Sequence, residues 1–563
     1  MRSRVSLQTA FVVASAVLAA GLLEAQQRTS PVFLPDDPIA VDADGAADAG
    51  AARRDGLGGY ADFVTNMFFM PETSDVPAMN VNTLDEVPDS SWFTNRIGAR
   101  TMPLAEIVRG PDRVERLDVR EWVIVEGKDS GRQPGFRAID PADPARTVYQ
   151  LEFDPRGNPE MATGAEIIGT AVYHALGYNV VDVYLVNLTR DALRIAPEAV
   201  VHEAGGTRRF RKRDLDRLLR NVARNADGSY RATASRFADG EPLGPFRYAG
   251  VRPDDPNDIV PHQHRRELRG NRVFSAWLNH DDSRAINSLD MRVGPEGRQH
   301  VKHYMFDFGS MLGSGTNEED LPWVGHEHVF EPRQGLLTLA SFGFYRRPFI
   351  SVKAPRGLPA AGNFTADRFD PAGWRPHYPN AAFNHMRADD AFWAARKLAA
   401  LSPDAIAAIV GKAGFSDPAV RDHMIGTLIR RRAKVLAAWL TAVNPIASPR
   451  VDGGRLRFTN AAVDAGVAEP EADYDVQWFR YDNARGVREL VSSPVLMEET
   501  WAAIPEAALE GAGYAGVEIR TLHGDHPGWR APVRIYLRRN AGGWEAVGVE
   551  RTLGEEAARV ARR

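Results

Sequence analysis

The sequence predicts an α+β protein in three folded parts: a β-rich first half with one long helix, a helical middle, and a C-terminal antiparallel β-sandwich. Three observations predict it. Period-two runs cluster between 121 and 188 around one segment of helical period. Helix-like segments dominate from about 263 to 442. Alternating apolar and polar runs then follow the linker "VNPIASPR" at 443–450. A chain of 563 residues exceeds one core, so two to four domains are expected. The 44% hydrophobic and 25% charged content is that of a globular protein. A net charge of -5 gives no reason to expect nucleic acid or an anionic membrane as partner.

Arg2 and Arg4 precede an apolar run from about Ala10 to Leu23, and Ala25 offers a small residue for cleavage. Residues 1–25 therefore read as a secretory signal peptide, too short in its apolar part for the roughly 20 residues of a span. The expected location is periplasmic or secreted, with no integral membrane segment after cleavage. The absence of cysteine excludes disulfides, thiolate metal sites and a lipoprotein anchor. Residues 26–95 are a leader and N-terminal extension, of which 26–60, rich in Ala, Asp and Gly, is expected to be flexible.

Folded material is assigned to 96–198. "EWVIVEG" is a strand, "KDSGRQPG" a glycine-bearing turn, and "FRAID" and "TVYQLEF" two further strands. "NPEMATGAEIIGTAVYHALGY" has helical spacing at Ile167, Ile168, Ala171, Val172 and Leu176, with Gly177 at the C-terminal cap. "NVVDVYLVNL" returns to strand. The second part is assigned to 199–443, beginning with an insertion over 200–262 that carries a basic helix, best explained as a solvated face. The helix "HRRELRGNRVFSAWLN" follows, and three more fall in 387–442, with Ser402-Pro403-Asp404 and Ser416-Asp417-Pro418 as N-terminal signals and Ser as the cap. The runs "LRFTN", "YDVQWFRYD", "AGVEIRTL", "APVRIYLRR" and "WEAVGVER" place a sandwich of immunoglobulin or fibronectin type III character at 450–563.

Chemistry concentrates in two stretches. The first reads His280-Asp281-Asp282-Ser283-Arg284-Ala285-Ile286-Asn287, and the second contains Asp307-Phe308-Gly309. Phosphoryl transfer needs a carboxylate to orient the acceptor hydroxyl and oxygen ligands to hold Mg²⁺ against the phosphates. Protein kinases meet these needs with H-x-D-x-x-x-x-N followed by D-F-G. His280, Asp282 and Asn287 match the first spacing, and 307–309 is a literal D-F-G.

On these residues the chain resembles the protein-kinase-like superfamily, in its atypical branch of HipA-like and CotH-like kinases, over roughly 120–440. The resemblance implies a two-lobed fold, with a β-rich N-lobe and a helical C-lobe, and ATP with Mg²⁺ or Mn²⁺ as cofactors. It implies Asp282 as catalytic base, Asn287 and Asp307 as metal ligands, and His280 as a structural member of the loop. Arg284 falls where a γ-phosphate contact belongs. The turn with Gly127, Lys128 and Gly131 lies where a phosphate-covering loop belongs, although G-x-G-x-x-G is not met. Glu166 suits the acid that pairs with the phosphate-binding lysine. The sequence departs from the pattern at that lysine: the third strand carries Glu152, which would repel triphosphate and Glu166 unless a cation intervenes. Lys128 is the residue able to reach in; otherwise the reading becomes a pseudokinase. The acceptor is a protein or small molecule that the sequence does not name.

Two other classes remain. His262, His264, His280, His300, His303, His326 and His328 with nearby aspartates suggest a metal-dependent hydrolase, though no fixed ligand spacing occurs. A non-enzymatic scaffold would use Trp478, Trp529 and Trp544 as a glycan surface, against their more ordinary place in a sandwich core.

Overall fold

The computed structural model describes residues 31–554, apart from 43–44, 57, 69–74, 129–130, 132, 204–205, 471 and 512, and also Ala557. The signal-peptide reading of 1–25 lies outside the described residues. The architecture is mixed α/β, with several sheets and a helical block. No described helix is long and apolar enough to cross a membrane.

After two short helices, α1 (Gly58–Phe68) and α2 (Leu104–Arg109), come β1 (Trp122–Gly127), β2 (Gly135–Ile139) and β3 (Val148–Phe153). Helix α3 (Met161–Leu176) ends where Gly177 adopts φ 121°. Strands β4 (Val183–Leu188), β5 (Leu193–Glu203) and β6 (Gly206–Arg209), helix α4 (Lys212–Asn221) and strand β7 (Tyr230–Arg236) follow. The seven strands form one sheet in the order β4-β7-β3-β2-β1-β5-β6, with β1 and β5 parallel.

This topology corrects the boundary placed between 198 and 199, which falls inside β5. It also corrects the reading of 200–262 as a separate insertion, because β7 lies between β3 and β4, pairing Glu152 with Thr233 and Leu185 with Thr233. Alternation marks a strand but carries no information about which distant strand it joins.

Strand β8 (Glu241–Gly244) pairs with a hairpin of β9 (Ser288–Val293) and β10 (His300–Met305), and α5 (Arg266–Leu278) precedes that hairpin. Every residue of α5 is buried. Helices α6 (Pro332–Ala340), α7 (Ala381–Asn384), α8 (Ala388–Ala399), α9 (Pro403–Lys412) and α10 (Pro418–Trp439) complete the helical half. Ser402 caps α9 through Ala405 N–H at 3.1 Å. At α10 the cap is Asp417, accepting from Ala419 N–H at 2.8 Å, and not the expected Ser416. One hydrophobic core joins α3, α5 and α8–α10.

The C-terminal part holds a three-stranded and a larger antiparallel sheet around a shared core with Leu456, Val476, Val517 and Ile535. Trp478 and Trp529 are buried and Trp544 is half-buried. Trp529 joins the helical core and donates to Thr441 O at 2.9 Å. These tryptophans are packing residues, not an open glycan surface.

The leader expected to be flexible is seated on the folded parts. Phe33 is buried among Phe479, Tyr481, Tyr536 and Val547, and exchanges hydrogen bonds with Asn483 at 2.7 and 2.8 Å. Ala49 and Ala52 pack with Leu243 and Val301, while Arg292 donates to Gly50 O at 2.7 Å and Ala52 O at 2.9 Å. Its composition is that of a loop, but two apolar anchors suffice to hold it.

Candidate active site

Helix α5 delivers the first stretch. Asn279 ends the helix in the left-handed region at φ 54°, and His280 N–H closes onto Ser275 O at 2.8 Å. The His280 ring is buried, with Nδ1 3.2 Å from the Tyr173 hydroxyl of α3. Burial pulls its pKa down to about 4, so the ring is neutral. Phe308 stacks on Tyr173 with centroids 4.6 Å apart and meets His280 edge-on at 5.7 Å. His280 thus ties together α3, the loop and the D-F-G segment. Ser283 donates to His280 O at 2.6 Å, and Asn380 donates to Ser283 O at 3.0 Å, which holds the turn.

Two local devices bring the acidic residues together. Asn287 donates through Nδ2 to Asp282 O at 2.8 Å and to Asp282 Oδ2 at 3.0 Å, and Arg284 forms an ion pair with Asp282. The Arg284 guanidinium also lies over the Tyr378 ring, 5.0 Å from its centroid. The β9–β10 hairpin then pairs Ser288 with Met305, so the chain returns beside Asn287, and Phe306 N–H donates to Asn287 O at 3.3 Å. Asp307 follows directly, in the left-handed region at φ 64°, ψ 62°. A non-glycine residue there is strained and is held by its surroundings. Helix α3 supplies them: a Cβ on Gly169 would stand 2.5 Å from Phe308 Cβ, so the helix approaches that closely only because 169 is glycine.

From the first sheet come Glu152, Lys128 and Gln133. Lys128 forms an ion pair with Glu152, so it reaches the position where the lysine was missed. Gly135 faces Glu152 across β2–β3. Gln133 donates to Phe153 O at 3.3 Å, and a Cβ on Gly309 would lie 3.2 Å from Gln133 Oε1. Glu166 has no lysine partner of the expected kind; it accepts the backbone N–H groups of Phe308 and Gly309. Gly131 sits at φ 82° beside Lys128, whereas Gly127 packs against Phe210 and Val201 on the outer strands, away from these acids.

Two further acids lie outside the H-x-D-x-x-x-x-N and D-F-G positions. Asp281 is buried, and its backbone oxygen accepts from His377 N–H at 2.8 Å, with Oδ2 3.3 Å from His377 Nδ1. Asp320 arrives through a tight turn in which its N–H donates to Gly313 O at 2.9 Å. No periodicity announces it.

The set therefore holds Glu152, Glu166, Asp281, Asp282, Asp307 and Asp320, with Lys128 and Arg284 as the cations. The imbalance appears in the titration of the acids. Burial, then Glu152, pushes Asp307 up to about 7, with Lys128 opposing and Asp282 adding to the rise. Burial and then Asp282 push Asp320 to about 7. Glu166 is raised well above the carboxylate range by burial, Asp307 and Glu152, and Asp281 by burial, Asp320 and Asp282. A cation beside Asp307 would relieve its repulsion from Glu152 and Asp282 and that of Glu166 from Asp307.

A cavity of about 330 Å³ adjoins the cluster, lined by Asn279, Asp320, His326, Asn363, Asp370 and Trp374 among others. Asp320 Oδ2 and Asn363 Oδ1 have no hydrogen-bond partner among the described residues.

The histidines of the hydrolase reading are dispersed. His262 binds Asp258 at 2.6 Å, His303 binds Asp290 at 2.6 Å, and His328 binds Pro376 O at 2.8 Å. His262 is buried. Among the described residues, no three His, Cys, Asp or Glu side chains gather at metal-holding spacing.

No protein-family description matches the chain, and no curated protein matches it. Among solved structures, it is similar to the Helicobacter pylori proinflammatory kinase CtkA, at 11% identity and a TM-score of 0.27, over 55% of this chain and 90% of that one. A likeness of that degree establishes neither fold nor activity.

Proposed function

We propose that the protein transfers the γ-phosphoryl group of ATP to a hydroxyl acceptor, on a kinase-like scaffold with the C-terminal sandwich as an accessory module. One observation supports this reading: Asn287 bonds Asp282, and Asp307 lies close enough to feel the charge of Asp282, within a cluster of six buried or half-buried carboxylates with two cations. Hard oxygen donors in excess suit Mg²⁺, which needs few protein ligands when phosphates and water complete its shell. Asp307 and the side-chain oxygen of Asn287 would hold it, and when bound it would neutralise charge on the phosphates. Asp282 would accept the acceptor's hydroxyl proton as the new O–P bond forms and the bond to the ADP oxygen breaks. Arg284 already orients Asp282 and would face the transferred group. Lys128 would serve the phosphates from the turn after β1, at the expense of its pairing with Glu152.

The acceptor would enter through the cavity beside Asp320. Its lining of Asp320, His326, Asn363 and Asp370 is polar, which suits a ligand bearing hydroxyl or ammonium groups. Export, from the signal-like residues 1–25, would put this chemistry in the periplasm or outside the cell.

A non-catalytic second reading has its own support, because Lys128 is engaged by Glu152. One experiment separates the two: incubation with γ-labelled ATP and Mg²⁺ or Mn²⁺, comparing wild type with Asp282→Ala, alongside thermal unfolding of Asp307→Ala. Transfer is expected from wild type alone, with a loss on the order of 10³-fold in Asp282→Ala. Nucleotide stabilisation that disappears in Asp307→Ala, without transfer by any form, would establish the pseudokinase. Neither transfer nor stabilisation would refute both.

A further inference from the structure

The segment 329–356 is built inside out. In α6, Gln334 and Thr338 turn toward the protein while Leu336, Leu337 and Leu339 face outward. Thr338 and Ser341 spend their hydroxyls on local backbone oxygens, Gln334 O at 2.8 Å and Thr338 O at 3.1 Å. No residue of α6 is buried. Leu336 is 66% exposed, Leu339 75%, and beyond the helix Phe342 is 92% and Phe344 88% exposed. Val329, Phe330 and Ile350 of the same segment are exposed as well. A contiguous run of this kind on a globular protein marks an interaction surface. Its charge is equally distinct. Arg347 is taken up by Glu327 at 2.7 Å, which leaves Arg333, Arg346, Lys353 and Arg356 against Glu331, a local net of +3 in a chain whose total is -5. The whole-chain charge, which gave no reason to expect an anionic membrane, conceals this local excess.

We propose that 329–356 is a membrane-interface anchor that inserts its Leu and Phe side chains at an anionic lipid surface, the basic residues meeting the headgroups. Outward leucines and phenylalanines flanked by Arg and Lys are the composition of helices that lie in the interface plane. Side chains standing almost wholly clear of the protein need no shape-matched groove in a fluid apolar medium, and cationic flanks match anionic headgroups. Val352 of this segment also lines the cavity beside Asp320, so the anchor is continuous with the proposed acceptor entrance. The inference does not depend on that entrance or on phosphoryl transfer.

The test is co-sedimentation of the full folded chain with vesicles of phosphatidylcholine alone or with about 30% phosphatidylglycerol. Binding is expected to the anionic vesicles and to fall as salt rises. The doubles Phe342→Ser/Phe344→Ser and Arg346→Glu/Lys353→Glu should each weaken it, the first on the order of tenfold, with unchanged thermal unfolding because all four side chains are exposed. Absence of binding, or binding indifferent to both doubles, overturns the proposal. So does a concentration-dependent dimer that the Phe double abolishes while vesicles bind nothing, since the surface would then be a contact between copies.

Discussion

Two groups of acids lie toward the two ends of α5, one at Asp389 and Asp390 and one around Asp281 and Asp282, and the protein supplies them with cations in different measure. At one end of the helix, Asp389 and Asp390 are matched by arginines: Arg266 Nε reaches Asp390 Oδ1 at 3.1 Å, Arg269 Nη1 reaches Asp390 Oδ2 at 3.2 Å, and Arg387 Nε reaches Asp389 Oδ1 at 3.1 Å. Burial alone would lower the Arg266 pKa, but Asp85, Asp390 and Asp389 outweigh it and hold the guanidinium above its usual range; Arg266 and Arg387 likewise hold Asp389 below its usual range against burial, while burial and the neighbouring Asp389 keep Asp390 above its own. At the other end, six carboxylates share Lys128 and Arg284, and Asp307 and Asp320 are forced up to about 7. A charge-matched cluster is complete as folded. A crowded one is complete only with something positive brought from outside, which is how a structural network and a binding site differ in the same interior.

Substitutions should separate the two. The largest effect is expected from Asp390→Ala, which leaves Arg266 and Arg269 buried without their partner. A loss of about 3–5 kcal/mol in urea unfolding is expected, and an unchanged midpoint would break the comparison.

An intermediate effect concerns pH at a second matched group, Asp258. Burial would raise its pKa, but His262 and the backbone N–H of Arg252 pull it down from 3.8 to about 2. A depressed carboxylate contributes stability above its unfolded pKa and loses it as pH falls through the folded one. Unfolding free energy should therefore decline between about pH 4 and 2, by roughly 2 kcal/mol through this group. In Asp258→Asn that acid-limb decline should be shallower.

The third effect has the opposite sign. Asp320→Asn removes a charge from the crowded cluster, so the metal-free protein should be more stable than wild type at pH 8, where an acid with a pKa near 7 is ionised. The gain should shrink toward pH 5, where the wild-type group is protonated. A loss at pH 8 would mean that Asp320 is matched after all.

Much of this was legible in the residues. The 280–287 spacing, the D-F-G at 307–309 and the hairpin between them are local, and a hairpin of known register brings Asn287 and Asp307 together without knowledge of the remaining chain. The helix ending at Gly177 and the alternating runs of the sandwich carry their own period. Lys128 was visible as the residue able to reach Glu152, but its pairing there also withdraws it from Glu166, which instead takes backbone N–H groups of the D-F-G segment.

What the sequence determined by itself was the local grammar: which segments coil or extend, where they stop, and which oxygen-bearing side chains lie a fixed step apart. Only the tertiary structure decided that β7 enters between β3 and β4, that Phe33 crosses to a sheet some 450 residues further along, and that Asp320 joins Asp281 and Asp282. Periodicity and capping act over a few residues and leave a trace in their order. Contacts between distant segments depend on complementary surfaces that exist only once both have folded, and nothing in the spacing of either partner records the other.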